Sequence, residues 1–391
     1  MNATRHILCL NSGSSSLKLA LYVRGTTERC LAAGAVEHIG LEEASLRWEP
    51  GHARTDGPES PGTVEDHGSA LAILLERLEQ AGLPAPDAVG HRVVHGGMHH
   101  SAPERIDAGL LEELESLVPL APLHLPGALA VMKAAARTYA QTPQVACYDT
   151  AFHQRMPERA SRLALPRGLW DQGVRRYGFH GLSYEYIVAE LGPKAAGRVI
   201  IAHLGNGASL AAVRDGAPLD TTMGLTPTGG IMMGTRSGDL DPGAVIHLLE
   251  QGHDAKSLRR LTAEEAGLLG VSGISRDMKT LLARREREPH AAQAVEMFCY
   301  QVRKTIGAYA AALGGLDCLV FTGGIGERAA PVRAEICEGL EHLGIRLDPA
   351  RNGEHAPVVS AADAPCTVRI IPTNEDLMVA RHTDALVFAG A

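Results

Sequence analysis

A chain of 391 residues is too long for one compact core and points to two domains. Its 45% hydrophobic and 21% charged residues are the balance of a globular protein in water. A formal charge of −8, with no basic run interleaved with aromatics, argues against broad nucleic-acid binding but leaves room for a local basic pocket.

The first six residues lead at once into a strand, which leaves no room for a signal peptide. No apolar run reaches the ~18 residues needed to span a bilayer, so no membrane partner is expected. Residues 7–10 are apolar, break into Asn11-Ser-Gly-Ser-Ser-Ser16, and resume over 17–21, a pattern of strand, tight turn and strand. Residues 50–68 are polar and rich in Gly and Pro, as a surface loop would be. Residues 69–80 have helical periodicity, and 87–97 read as a buried strand ending in a glycine turn. Helices are expected over 110–117 and 127–139, then a short strand, 144–148, that delivers Asp149.

The order then repeats. Residues 199–202 are apolar, break into His203-Leu-Gly-Asn-Gly-Ala-Ser209, and resume over 210–213. Helices are expected near 242–251 and 291–313, followed by a strand over 318–322 that enters Gly323-Gly-Ile-Gly-Glu327. A last strand over 368–372 precedes a closing helix. Aligning Ser16-Leu17 with Ser209-Leu210 gives an offset of 193, close to half the chain, which suggests a duplicated α/β domain. We place the first domain at 1–150, joined by the closing helix 376–391, and the second at 151–375. Two phosphate-cradling turns facing each other across a cleft would suit a phosphotransferase.

Glycine-rich turns expose consecutive backbone N–H groups, which make a concave anion site. Three occur, at 13–16, 205–209 and 323–326. None is a GxxxxGK[ST] loop, and residues 324–329 imitate a dinucleotide fingerprint with too little chain after them to complete that fold. Lys18 follows the first turn and reads either as a phosphate contact or as a solvent-facing strand lysine; Ala211 stands at the matching position of the second hairpin. Arg92, inside an apolar strand, and Arg236, in a small-residue loop, suit bidentate binding of carboxylate or phosphate. The competing reading is an ion pair to an interior carboxylate such as Asp149 or Asp239.

Among 18 histidines, the run His91, His95, His99, His100 lacks zinc-site spacing and shares no helical face. His124, His180 and His203 lie in Pro- or Gly-flanked turns, where an imidazole can donate to transferring phosphoryl oxygens or merely pack the loop. Asn11, Asp149 and Glu375 sit at or just past strand ends, as oxygen ligands suited to Mg²⁺; Asp149 and Asn374 could alternatively cap helices. The seven cysteines form no CxxC pair, and several lie in apolar runs, as reduced thiols of a cytoplasmic protein do.

Taken together, NSGSSSLK at 11–18, GHRVVHGG at 90–97, PLH at 122–124, DTAFH at 149–153, RRYGFHG at 175–181, HLGNGAS at 203–209, MGTRSGDLDP at 233–242, FTGGIGE at 321–327 and PTNED at 372–376 carry a family resemblance. The sequence resembles the acetate kinase family, within the actin/hexokinase-like superfamily. That resemblance implies two duplicated ribonuclease-H-like α/β domains with mixed sheets flanked by helices, an active site in the interdomain cleft, and a homodimer. It implies Mg²⁺-dependent, reversible transfer of the ATP γ-phosphoryl group to acetate, giving acetyl phosphate and ADP, with Mn²⁺ able to substitute. Asn11 and Glu375 would hold the metal. Lys18, His203-Leu204-Gly205-Asn206-Gly207, Asp277-Met278-Lys279 and Gly323-Gly324-Ile325-Gly326-Glu327 would bind ATP. Arg92 and Arg236 would bind the carboxylate and the phosphoryl group. His180 and Arg236 would stabilise the transition state, and Asp149 matches the catalytic aspartate. Val94, Leu123, Phe179 and Pro227 would line the methyl pocket. Lys279 stands where the family usually has Arg, and Thr226-Pro-Thr-Gly-Gly230 departs from the usual TPLEG beside the pocket, which leaves acetate and propionate both open.

A carboxylate with a pKa of about 4–5 is already ionised at pH 7, so this chemistry needs charge stabilisation rather than a strong base. Asp149 therefore reads as an orienting group for Arg92 or metal-bound waters. The rivals are a nucleotide clamp of the same superfamily and a propionate or other short-chain acyl kinase. The paired arginines argue against the clamp, which needs no carboxylate anchor.

Overall fold

The computed structural model describes residues 4–25, 27–51 and 59–388; residues 52–58 of the expected surface loop and the last three of the closing helix lie outside them. The chain divides into two compact α/β units, residues 1–151 with 374–391, and residues 152–373.

The first unit is built on a seven-stranded mixed sheet. Its strands are β1 (Arg5–Ser12), β2 (Ser16–Arg24), β3 (Arg29–Glu37), β4 (Ser45–Pro50), β5 (Ala88–Val93), β6 (Glu104–Arg105) and β7 (Gln144–Tyr148), in the spatial order β4-β3-β2-β1-β5-β7-β6. β1 pairs antiparallel with β2 but parallel with β5, and β5 pairs parallel with β7. Interior strands covered on both faces read as continuous apolar runs, which is why residues 7–10 are all apolar and all buried. β2 keeps one wet position: Lys18 is exposed between the buried Leu17 and Leu19.

Leu8, Leu10, Leu17, Leu19, Leu21 and Trp48 form one core with Leu71, Leu74 and Leu78, the apolar stripe of the helix His67–Gln80. Asp66 caps that helix by accepting from the Ser69 N–H at 2.7 Å. The helix Glu375–Phe388 returns to this unit and packs on β1 and β5. Gly90 permits the approach, because a Cβ there would stand 2.5 Å from Val379 Cγ1 and closer still to Thr383 Oγ1.

The second unit carries a five-stranded sheet of β8 (Arg198–Leu204), β9 (Ala208–Arg214), β10 (Ala217–Thr221), β11 (Cys318–Thr322) and β12 (Thr367–Ile370), in the order β10-β9-β8-β11-β12. β8 pairs antiparallel with β9 and parallel with β11, and β11 pairs parallel with β12. This matches the run β3-β2-β1-β5-β7 strand for strand, in order and direction. The expected duplication is therefore present in the topology.

The uniform offset is corrected by the registers. Asn11 faces Lys18, but Leu204 and Ala211, each 193 positions on, are not partners; Leu204 faces Ala208. Ala211 is accordingly a core residue, packed with Val199, Ile201 and Val320, and not a counterpart of the exposed Lys18. The long helix Pro289–Leu313 covers β8 and β9 with Phe298, Val302 and Ile306 at four-residue spacing.

Residues 323–326, expected as an exposed turn, instead start the short helix Gly323–Arg328, and the Gly323 N–H is taken by Glu327 Oε1 at 3.0 Å.

Candidate active site

In the first unit, parallel pairing sets Asn11 of β1 beside Arg92 of β5, and Arg92 beside Cys147 of β7, two residues before Asp149. The Asp149 N–H donates to the Val93 carbonyl at 2.9 Å, which fixes the chain as it leaves β7. Arg92 then reaches three partners. Its Nε and Nη2 donate to Asp149 Oδ1 and Oδ2 at 3.1 and 2.6 Å, and its Nη1 donates to Asn11 Oδ1 at 3.0 Å. Glu375 Oε2 lies 3.5 Å from Nε. The ion-pair reading of Arg92 is thus realised with Asp149, and the Asp149 carboxylate orients this guanidinium rather than capping a helix. Asn374 does cap the helix that follows it, its Oδ1 accepting from the Leu377 N–H at 2.9 Å and from the Tyr22 hydroxyl at 3.0 Å.

The electrostatics of this cluster are lopsided. Asp149, Glu375 and Asp376 face Arg92 and Lys18. Burial lifts the Asp149 carboxyl to about 6 against the pull of Arg92, and Glu375 pushes it the same way. Burial also raises Asp376, opposed by Lys18 and reinforced by Glu375. Burial alone would lower the Arg92 guanidinium, but Asp149 and Glu375 outweigh it and hold it charged.

In the second unit, the helix Gly181–Leu191 begins at His180, a non-glycine residue at φ 59°. A left-handed conformation costs roughly 1–2 kcal/mol for such a residue, so it marks a position held by its surroundings. His180 Nδ1 lies 2.8 Å from Ser209 Oγ, and Tyr184 Oη lies 2.5 Å from the same oxygen. The His203 ring stacks on His180 at 4.3 Å and 18°, with Nδ1 2.8 Å from Ser183 Oγ. A Cβ on Gly207 would stand 3.3 Å from His180 Nε2 and 3.5 Å from Arg236 Nη1, so both groups converge on one bare stretch of backbone. Arg236 Nη1 also donates to the Pro227 carbonyl at 3.2 Å. Asp239, its proposed alternative partner, accepts from the Gly230 N–H at 2.7 Å.

The remaining expected residues divide between the units. Val94 is buried and Leu123 half-buried in the first; Phe179 is buried and Pro227 half-buried in the second. Gly205 N–H is spent on the Gly207 carbonyl at 3.1 Å, and the Asn206 carbonyl accepts from Gly234 at 3.0 Å. Leu204 is buried at the end of β8. Gly324 has open space where a side chain would point, whereas Gly326 is buried against β8 and β11. Ile325 lies between them in the short helix.

Asp277 caps the helix Met278–Arg284 through the N–H groups of Lys279 and Thr280, Met278 is buried, and Lys279 is exposed. His91 bonds Gln144 at 2.6 Å, and burial lowers it to about 4, the state of a neutral core histidine. His124 leads into the helix Leu125–Thr138.

Four contributors escaped the sequence reading: Asp376, Ser209, Tyr184 and Arg333. Arg333 is fully buried, has no carboxylate partner among the described residues, and donates to the Gly326 and Glu327 carbonyls at 2.8 and 3.0 Å, so it fixes the short helix that carries the third glycine motif. Its signal was a lone arginine among Val332, Ile336 and Cys337.

The sequence profile described as the Acetokinase family matches residues 6–381. The acetate kinase of Rhodopseudomonas palustris is 45% identical, covering 98% of this chain and 99% of its own. That of Streptomyces coelicolor is 44% identical over 99% and 98%. Among solved structures, the acetate kinase of Porphyromonas gingivalis superposes with a TM-score of 0.87 at 37% identity, covering 98% of this chain and 100% of its own. A propionate kinase from Francisella tularensis gives 0.91 at 34% identity and the same coverage. Shared sequence across nearly the whole length, on the same doubled α/β framework, has one consequence: the chain belongs to the acetokinase family.

Proposed function

We propose that the protein transfers the γ-phosphoryl group of ATP to acetate, reversibly, giving acetyl phosphate and ADP. The observation that carries the reading is the pair of arginine settings, each beside polar groups that aim it. Arg92 is held by Asp149, Asn11 and Glu375; Arg236 is held at Pro227 and converges with His180 on Gly207. Two anions must approach, and charge must spread over the equatorial oxygens of the phosphoryl group, so fixed cations and N–H donors are what the reaction requires. Arg92 binds and orients the acceptor carboxylate. Arg236 and His180 stabilise the transferring group. Asp149 keeps Arg92 aligned and takes no proton from acetate, which is already ionised.

Mg²⁺ fits the first-unit residues. Three carboxylates, Asp149, Glu375 and Asp376, against two cations, Arg92 and Lys18, leave excess negative charge. Among the described residues no three acidic, histidine or cysteine side chains close a metal site by themselves. Asn11 and Glu375 would therefore hold the ion together with waters and phosphate oxygens, as Mg²⁺ prefers. Bound there, it supplies neutralising charge to the phosphates of ATP. Lys18, the 203–207 loop, Asp277, Lys279 and the residues 323–327 are the nucleotide-facing set in this reading.

Exposed apolar side chains of the second unit support assembly as a homodimer. The helix Pro242–Glu250 buries no residue fully and presents Ile246 and Leu249, 56% and 47% exposed, near Leu240 in sequence. Seven free thiols, six of them buried, suit a reducing cytoplasmic compartment.

The deciding assay is ATP turnover with acetate, propionate or butyrate in the presence of hydroxylamine, which traps acyl phosphate. Trapped product with acetate is expected. A clear preference for propionate would move the protein to the neighbouring activity, and nucleotide hydrolysis without any trapped product would sink the kinase reading.

A further inference from the structure

We propose that Tyr184 and Ser209 are positioning residues that hold the His180 imidazole in a single tautomer, with Nδ1 accepting and the proton on Nε2. The inference rests on the reading of His180 as the group that meets the transferring phosphoryl oxygens, and it specifies which ring edge donates.

Each hydroxyl hydrogen in this buried chain of groups needs an acceptor. Tyr184 and Ser209 are both fully inaccessible to water, so an unmet hydroxyl hydrogen on either would be costly. Among the described residues the Tyr184 hydroxyl has one polar partner, Ser209 Oγ at 2.5 Å. Tyr184 must therefore donate to Ser209, because the reverse direction strands its own hydrogen. Ser209 has one hydrogen to give, and its other neighbour is His180 Nδ1 at 2.8 Å. If Nδ1 carried a proton and donated to Ser209, the Ser209 hydrogen would have no acceptor. Only Nδ1 as the terminal acceptor satisfies every donor in the chain.

Burial pushes the Tyr184 phenol well up, so it stays a donor across the working range of the enzyme.

The backbone supports the same arrangement. The Tyr184 N–H donates to the His180 carbonyl at 3.0 Å, in the first turn of the helix Gly181–Leu191, so the relay's two ends share one rigid element. Ser209 lies on β9, opposite His203, which stacks on the His180 ring and limits its rotation. With Nδ1 committed, the Nε2 edge is the one that lies over Gly207 beside Arg236 Nη1. A proton fixed on Nε2 gives that edge a donor before substrate arrives, so no proton must be relocated as charge develops.

The test reads the tautomer directly in the substrate-free protein, by ¹⁵N-edited NMR of histidine-labelled enzyme, with His180 assigned from the spectrum of His180→Gln. The wild type should show a protonated Nε2 and an unprotonated Nδ1. In Tyr184→Phe and Ser209→Ala the direction of the chain is released, both tautomers should appear, and kcat should fall roughly tenfold with KM for ATP within about twofold. A wild-type His180 protonated at Nδ1 overturns the proposal even if neither variant folds. Unchanged tautomer and kcat in both variants overturns it as well. Absence of acyl kinase activity in the wild type would defeat the functional reading while leaving the tautomer result to stand or fall alone.

Discussion

Arg92 and Asp149 meet through two parallel hydrogen bonds, Nε to Oδ1 at 3.1 Å and Nη2 to Oδ2 at 2.6 Å, and this pairing sets the direction of the remaining guanidinium edge. Because burial lifts the Asp149 carboxyl to about 6, the pair is complete above that pH and is lost as the carboxylate protonates below it. Wild-type turnover should therefore decline as pH falls through about 6, and Asp149→Asn should lose that acid limb along with about 10²-fold in kcat. A pH–rate profile checks this. If Asp149→Asn instead recovered steeply with rising pH, Asp149 would be acting as a base.

The two arginines should fail differently. Arg92→Ala is expected to raise KM for acetate more than it lowers kcat, whereas Arg236→Ala should lower kcat by about 10²–10³-fold with a smaller change in KM. Steady-state kinetics with varied acetate separates the two, and equal effects on both parameters would contradict the assignment. Arg92→Ala also strands the buried Asp149 and should destabilise the protein by about 3–5 kcal/mol, measurable by urea unfolding.

Asp376 gives a stability prediction with an unusual sign. Its carboxyl is raised by burial, so the folded state binds the proton more tightly than the unfolded state, and its contribution to stability grows as pH falls. Asp376→Asn should remove that contribution. Thermal melts from pH 7 down to about pH 4 should show a smaller gain, or a steeper loss, on acidification in the variant than in the wild type; parallel curves would dismiss the effect.

Gly90 is expected to tolerate no side chain. A Cβ there meets Val379 and Thr383, so Gly90→Ala should push the helix Glu375–Phe388 off the sheet and cost about 1–3 kcal/mol. Glu375 and Asp376 move with that helix, so the Mg²⁺ concentration needed for half-maximal rate should also rise. A titration of rate against Mg²⁺ that matched the wild type would show that the strain is absorbed elsewhere.

Ile246→Glu tests the association surface. Analytical ultracentrifugation should find a dimer for the wild type and a monomer for the variant. A variant that still sediments as a dimer would remove the helix Pro242–Glu250 from the interface.

Much of this framework was legible because interior strands announce themselves. The runs at 7–10, 144–148, 199–202 and 318–322 are apolar and end in small or polar residues, and each became a central strand. β3, β4 and β10 passed unread. Ala32, Ala33 and Ala35 dilute the signal of β3, and β10 carries Pro218 and Asp220 with a register shift between them. The hairpin registers were equally hidden, since turn length cannot be read from an offset between two similar motifs.

At the candidate site, single residues with a costly setting were legible: Arg92 in an apolar strand is the clearest. Pairings that join distant segments were not. Ser209 and Tyr184 lie 25 positions apart and read alone as ordinary core residues. Asp376 beside Glu375 reads as a second acid favoured by the helix dipole, until the sheet places Asn11 3.5 Å from it.

The first unit is assembled from two stretches of chain separated by the whole of the second. On the ribosome, residues 152–373 form one uninterrupted piece and can fold as soon as they emerge, while β1 and β5 wait with one face bare for the helix Glu375–Phe388. That final segment brings Glu375 and Asp376 together with the covering of the sheet. Arg92 thus acquires its full set of acidic neighbours only at the end of synthesis.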